Sequence, residues 1–232
     1  GAARKGYVAL NSGNITSGGD MSLGGWNAAT GQLTVNDGTY TQTGGVLKLG
    51  RTGAGTLVMN GGTVDLTGGG WNPLRVGTSG GDGVVTINDG LLITSGFEAD
   101  WGNADAGLAK IELNGGLLQV EGNGAWAFRL DDNAEMAFGD DGVLAWNGNN
   151  VAAFGDAVDA GYITWDSAGT DMLTENWDAS WDNGTSILYA DFDDANAGYT
   201  TVWAVAIPEP ATLGMLLMGS SLLVVRRRML TG

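Results

Sequence analysis

The sequence predicts an all-β fold of the solenoid kind, a β-helix of about six coils, and three observations carry that prediction. First, an apolar-Asn-x-Gly signature recurs at Leu10-Asn11-Ser12-Gly13, Val35-Asn36-Asp37-Gly38, Met59-Asn60-Gly61-Gly62, Ile87-Asn88-Asp89-Gly90 and Leu113-Asn114-Gly115-Gly116. The asparagines step by 25, 24, 28 and 26 residues, and Phe138-Gly139-Asp140-Asp141-Gly142 is a degenerate sixth copy. Second, apolar residues fill the same columns of every copy. Third, 42 glycines and only 3 prolines in 232 residues disfavour helices and suit an architecture that turns every few residues, while 43% hydrophobic residues still build a core.

Within each repeat the elements follow in order. Val8, Leu33, Leu57, Val85, Ile111 and Met136 stand three residues before the asparagine position, and Leu10, Val35, Met59, Ile87, Leu113 and Phe138 directly before it. Ile15, Tyr40, Val64, Leu92, Leu118 and Val143 follow it by four. Residues two apart on a strand share a face, so each column reads as an inward stripe on a short strand. Asn-Asp-Gly and Asn-Gly-Gly supply the left-handed conformation that the corner between strands requires. A third strand is expected at Met21-Ser22-Leu23-Gly24, Leu47-Lys48-Leu49-Gly50, Leu74-Arg75-Val76-Gly77 and Ala99-Asp100-Trp101-Gly102, with its polar middle residue facing out. Evenly spaced strands also suit an antiparallel hairpin array; columns that repeat coil by coil favour stacked coils, each unable to bury its core alone. Outward positions are polar at Asn14, Thr16, Thr39 and Thr41 but apolar at Leu91, Ile93 and Leu117, a candidate patch for self-association.

The repeats occupy residues 1–146, and residues 147–206 read as a cap. Val151, Phe154 and Val158 have helical spacing before Gly161, which predicts a short helix that covers the open end of the solenoid. Trp165, Trp177 and Trp181 then lie among Asp166, Asp171, Asp178 and Asp182 in irregular loops, followed by two closing strands at 187–189 and 200–206.

Charge narrows the function classes. A net charge of −16 repels nucleic-acid phosphates, so no nucleic-acid partner is expected. The chain has no cysteine and no histidine, which removes disulfides, Cys- or His-ligated metals and imidazole catalysis; no cofactor and no metal are expected. Asp191, Asp193, Asp194 and Asn196 form an oxygen-rich cluster, but Ala195 interrupts the calcium-loop pattern, and a solvated acidic loop is the expected reading. A polysaccharide lyase or hydrolase on this scaffold would need several carboxylates converging on a base such as Arg75 or Lys110, and Asp65, Glu98 and Asp100 do not recur at one face position. Trp26, Trp71, Trp101, Trp146 and Trp177 have rings that could stack on sugars, although most are expected to pack under loops.

Residues 207–232 form a separate appendage. Pro208, Glu209 and Pro210 precede an apolar segment, 211–225, containing Leu213, Leu216, Leu217, Leu222, Leu223, Val224 and Val225, and Arg226, Arg227 and Arg228 follow it. Fifteen residues make about 22 Å of helix, short for a hydrocarbon core of about 30 Å, so the segment reads as a marginal transmembrane anchor with its arginines on the cytoplasmic side. Pro-Glu-Pro, a short transmembrane stretch and a basic cluster together closely resemble the PEP-CTERM sorting signal. That resemblance implies export, transient membrane anchoring, recognition by an exosortase at Pro208-Glu209-Pro210 and delivery to the cell surface or extracellular matrix. Gly55-Thr56-Leu57-Val58-Met59-Asn60-Gly61-Gly62 resembles the autotransporter-associated β-strand repeats of bacterial surface proteins. This second likeness implies a right-handed parallel β-helix and a role in display or adhesion. The expectation is therefore an exported structural or adhesive protein in contact with exopolysaccharide and not an enzyme; the alternative is a β-helix polysaccharide lyase or glycoside hydrolase with the same tail.

Overall fold

The computed structural model of the chain describes residues 4–26, 28–100 and 107–207. The first coil runs through β1 (Lys5–Leu10), β2 (Asn14–Ser17) and β3 (Met21–Leu23), the second through β4 (Thr30–Val35), β5 (Thr39–Gln42) and β6 (Leu47–Leu49). The third holds β7 (Ala54–Asp65) and β8 (Leu74–Val76), the fourth β9 (Gly83–Thr94) and β10 (Phe97–Ala99), with the first two strands of each running on as one. In the fifth are β11 (Ala109–Leu113), β12 (Leu117–Val120) and β13 (Phe128–Leu130). The sixth has β14 (Ala134–Phe138) and β15 (Val143–Asn147), then helix α1 (Val151–Asp159) where a third strand would stand.

Successive coils pair in parallel on three faces, which excludes the hairpin array. On the first face Val8, Leu33, Leu57, Val85, Ile111 and Met136 are partners in turn, as are Leu10, Val35, Met59, Ile87, Leu113 and Phe138. On the second, Ile15, Tyr40, Val64, Leu92 and Leu118 continue to Leu144, which is fully buried. Val143, expected in that column, pairs instead with Leu117 on the outer side. The cause is local: the corner before β15 holds four residues, Gly139 to Gly142, where the preceding coil has three, and one extra residue moves a side chain to the other face. Tyr40 fits the core because its hydroxyl donates to Gln42 Oε1 at 2.5 Å.

The asparagine column is a ladder. Asn36 donates its amide to Asn11 Oδ1 at 2.7 Å, Asn60 to Asn36 at 2.8 Å, Asn88 to Asn60 at 2.8 Å and Asn114 to Asn88 at 3.0 Å. It ends where Gly139 takes the sixth position, which is why that copy looks degenerate. At the end of the third strands Gly24, Gly50 and Gly77 adopt φ of 69°, 70° and 62°, and a Cβ at Gly50 would collide with the Asp82 carbonyl. The fourth member is Asp100 at φ 64°, so the fourth third-face strand is Phe97-Glu98-Ala99, two residues earlier than the expected Ala99-Asp100-Trp101. Its corner has shrunk to Ser95-Gly96, which advances the strand.

The cap completes the stack. Phe154 of α1 is fully buried, its ring edge-on to Phe128, Phe138 and Trp181 at 6.2, 6.1 and 5.8 Å. Three further strands, β16 (Ile163–Trp165), β17 (Ala179–Asp182) and β18 (Ser186–Phe192), lead to β19 (Tyr199–Ala206). β16 adds to β14 in parallel, whereas β17, β18 and β19 form an antiparallel meander whose β19 covers the edge of β15. The helix and both expected closing strands are present; β16 and β17 were not legible in the sequence. Among the described residues no helix is long and apolar enough to cross a membrane.

Candidate functional site

The third face carries one outward column that includes Arg75 and Glu98. Ser22, Lys48, Arg75, Glu98 and Arg129 are partners in successive strands and form one outward column. Each of its cations has a carboxylate at hand: Lys48 Nζ lies 2.5 Å from Asp20 Oδ2, Arg75 Nε 3.3 Å from Glu98 Oε2, and Arg129 Nε 3.0 Å from Asp131 Oδ2. The hydrogen bond from Lys48, with a further one from the Val46 amide, holds the Asp20 carboxyl below its ordinary range against a smaller opposing effect of burial. Glu98 faces outward in the sheet yet is fully buried. Its cover is the corner preceding the third strand, where Asn72 donates Nδ2 to Glu98 Oε1 and to the Trp126 carbonyl, both at 2.9 Å.

Beyond Arg129 the missing sixth strand leaves a cavity of about 270 Å³, lined by Phe128, Arg129 and Trp146 on the solenoid and Ala153, Asp156 and Tyr162 on the cap. A wider depression of about 630 Å³ opens at the first coil around Tyr7, Val8, Leu23 and Trp26. Val8 is an inward residue, but it is 41% exposed because no described coil lies before it.

The other acidic candidates have local structural partners. Asp65 accepts from the Thr67 amide at 2.9 Å and hydroxyl at 2.7 Å; Asp100 Oδ2 accepts from the Asn133 amide and side chain at 3.0 and 3.2 Å. Asp191 and Asp193 accept backbone bonds from Ala195 and Gly198, each 2.7 Å, which closes the loop on itself. Among the described residues no three potential ligands gather as a metal site. Lys110 lies on the first face, 3.0 Å from Glu112, far from the column of Arg75. Burial pushes the Glu112 carboxyl up, but bonds from Lys110 and Thr86 outweigh it and leave the group below its usual value.

The tryptophans depart from expectation. Trp146 is buried, with Nε1 donating to the Gly122 carbonyl at 3.1 Å, but Trp26, Trp71 and Trp126 are 64%, 62% and 68% exposed. Trp177 is exposed on one side and packs edge-on against Tyr189. Trp126 was overlooked in the sequence because its Gly-rich corner carries no part of the repeat signature. Leu91, Ile93 and Leu117 do face outward on the second face and are half-buried. Trp101 and the whole sorting-type segment, that is Pro208, Glu209, Pro210, Leu213, Leu216, Leu217, Leu222, Leu223, Val224, Val225, Arg226, Arg227 and Arg228, lie outside the described residues. No protein family, no curated protein and no solved structure matches the chain.

Proposed function

We propose that the chain is an exported surface or extracellular-matrix protein, a rigid β-solenoid spacer that contacts exopolysaccharide and carries its own sorting address. The observation that carries this reading is the order of parts: a rod of about six rungs, about 30 Å long at about 4.8 Å per rung, then Pro208-Glu209-Pro210, an apolar 15-residue segment and Arg226-Arg227-Arg228. In this reading Pro208-Glu209-Pro210 is the sequence that an exosortase-type enzyme recognises, and two prolines there disfavour a helix that continues from the cap. The apolar segment then serves as a transient membrane anchor, and three arginines resist passage through hydrocarbon. The coils are right-handed, the sense that parallel crossovers overwhelmingly take. A non-catalytic role is supported by the carboxylates, since Asp65, Asp100, Asp191 and Asp193 serve turns and loops and Arg75 and Lys110 stand on different faces. The half-buried stripe of Leu91, Ile93 and Leu117 is the surface for any self-association.

Mass spectrometry of protein taken from the surface of the producing cells tests the reading. The mature chain is expected to end near residues 208–212. An intact Gly232 on secreted protein would overturn it, and Arg226, Arg227 and Arg228 changed together to Ala are expected to cause mis-sorting without altering the solenoid.

A further inference from the structure

At the C-terminal end of the stack the cap closes two faces of the solenoid and leaves the third open. β16 adds to β14 on the first face and β19 covers β15 on the second, but the five-stranded sheet of the third face ends at β13, which pairs with β10 alone. Between those two strands the Phe97 amide donates to the Ala127 carbonyl and the Asp131 amide donates to the Ala99 carbonyl. Alternate residues of a strand bond to opposite neighbours, so the N–H and C=O groups of Phe128 and Leu130 point the other way, toward the sixth position. These groups have no partner among the described residues.

Helix α1 occupies the sixth position without pairing, since a helix satisfies its own backbone groups internally. The cavity of about 270 Å³ lies between the side of α1 that carries Ala153, Asp156 and Ala157 and the bare edge of β13. Phe128 is buried, and a buried backbone group without a partner is costly, which makes the edge receptive to an added strand. Only an extended backbone presents donors and acceptors that match it. Trp146 stacks on Phe128 at 4.7 Å and Phe154 meets the same ring edge-on, so the interior behind the slot is filled and an incoming strand can turn only small side chains inward.

Charge selects the class of strand. Around the mouth of the slot Arg129 is paired with Asp131, Tyr162 donates its hydroxyl to Asp132 at 3.4 Å, and Asp156 lines the wall with no ion pair among the described residues. One cation stands against three carboxylates, on a chain that carries −16 overall, so a basic segment is attracted and an acidic one repelled. We propose that β13 is a docking edge for an extended, basic peptide segment of a partner protein, which adds as the missing sixth strand with small residues facing in and Lys or Arg facing out. This inference stands apart from the matrix-protein reading and needs only the solenoid and its cap.

Fluorescence anisotropy of a labelled Ala-Lys-Ala-Lys-Ala peptide with the full chain tests it, with cellohexaose as a saccharide competitor. Binding is expected, with loss when the peptide backbone is N-methylated and when glutamate replaces its lysines. Asp156→Lys should weaken the peptide about tenfold, whereas Asp194→Lys, the same charge change at an exposed site after β18, should leave it near wild type. Leu130→Pro removes an N–H of the bare edge without touching the ladder to β10 and should weaken binding at least as much. Melting temperatures show which variants remain folded, and Asp156→Lys decides the matter should Leu130→Pro melt early. Equal binding of the N-methylated peptide, equal loss in Asp156→Lys and Asp194→Lys, or no binding at all would each overturn the proposal. So would displacement of the peptide by cellohexaose, or a dimer in sedimentation that Leu130→Pro dissolves, since the slot would then belong to a saccharide or to a second copy. Such a failure leaves the sorting reading untouched, because C-terminal processing is scored separately.

Discussion

At the scale of the residue, the repeated asparagine is explained by its amide, which can donate to the rung before and accept from the rung after. Asn88 does both, with Asn60 and Asn114, so Asn88→Ala removes two hydrogen bonds in an exposed ladder and is expected to cost about 1–2 kcal/mol, whereas Asn114→Ala removes one and should cost less. Urea unfolding midpoints of the two variants check the order. The ion pair of Asp20 with Lys48 makes a different prediction. A carboxyl held below its ordinary value in the folded state contributes stability above its unfolded value and loses it as pH falls through the folded one. The stability gap between wild type and Asp20→Asn should therefore be widest near neutrality and close as the medium is acidified below about pH 4; a gap that stays constant from neutral to acid would show that the pair contributes nothing.

At the scale of the element, register decides which substitutions are tolerated. Leu92 lies between Val64 and Leu118 in a fully buried column, so Leu92→Asp strands a carboxylate among apolar side chains at a cost of several kcal/mol, and its melting transition is expected to collapse. Leu144 and Val143 separate the observed register from the one that the repeat spacing implies. Leu144→Asp should be as damaging as Leu92→Asp, while Val143→Asp, outward and only partly covered by Tyr189 and Trp203, should cost much less. Thermal melts of the pair decide it. The first two columns were readable without a structure because their asparagine anchor lies within three residues, too close for an insertion to shift them. The third strand follows a corner of anything from two to eight residues, and there the spacing misplaces Glu98 and Asp100.

At the scale of the whole molecule, stacked coils leave two open ends, and the C-terminal one is closed by changing strand direction. A meander laid antiparallel on β15 cannot template another parallel coil, which is one way to blunt a sheet edge. A chain ending at Asn147 would lose α1 and β16–β19, expose Phe128, Phe138 and the edges of β14 and β15, and is expected to aggregate; static light scattering against the full chain would show it, and a monodisperse truncated protein would contradict this role for the cap. The sequence by itself determined the all-β class, the six-coil repeat, the asparagine corners and the inward columns of the first face, because local periodicity and turn chemistry are properties of neighbouring residues. It also determined the acidic balance and the absence of cysteine and histidine. Only the tertiary structure decided that Glu98 is buried, that Val143 points out and that Asn72 of the third coil reaches the Trp126 carbonyl of the fifth. Those facts depend on corner lengths compared between coils, and residues 54 positions apart, such as Asn72 and Trp126, meet only when the coils are stacked.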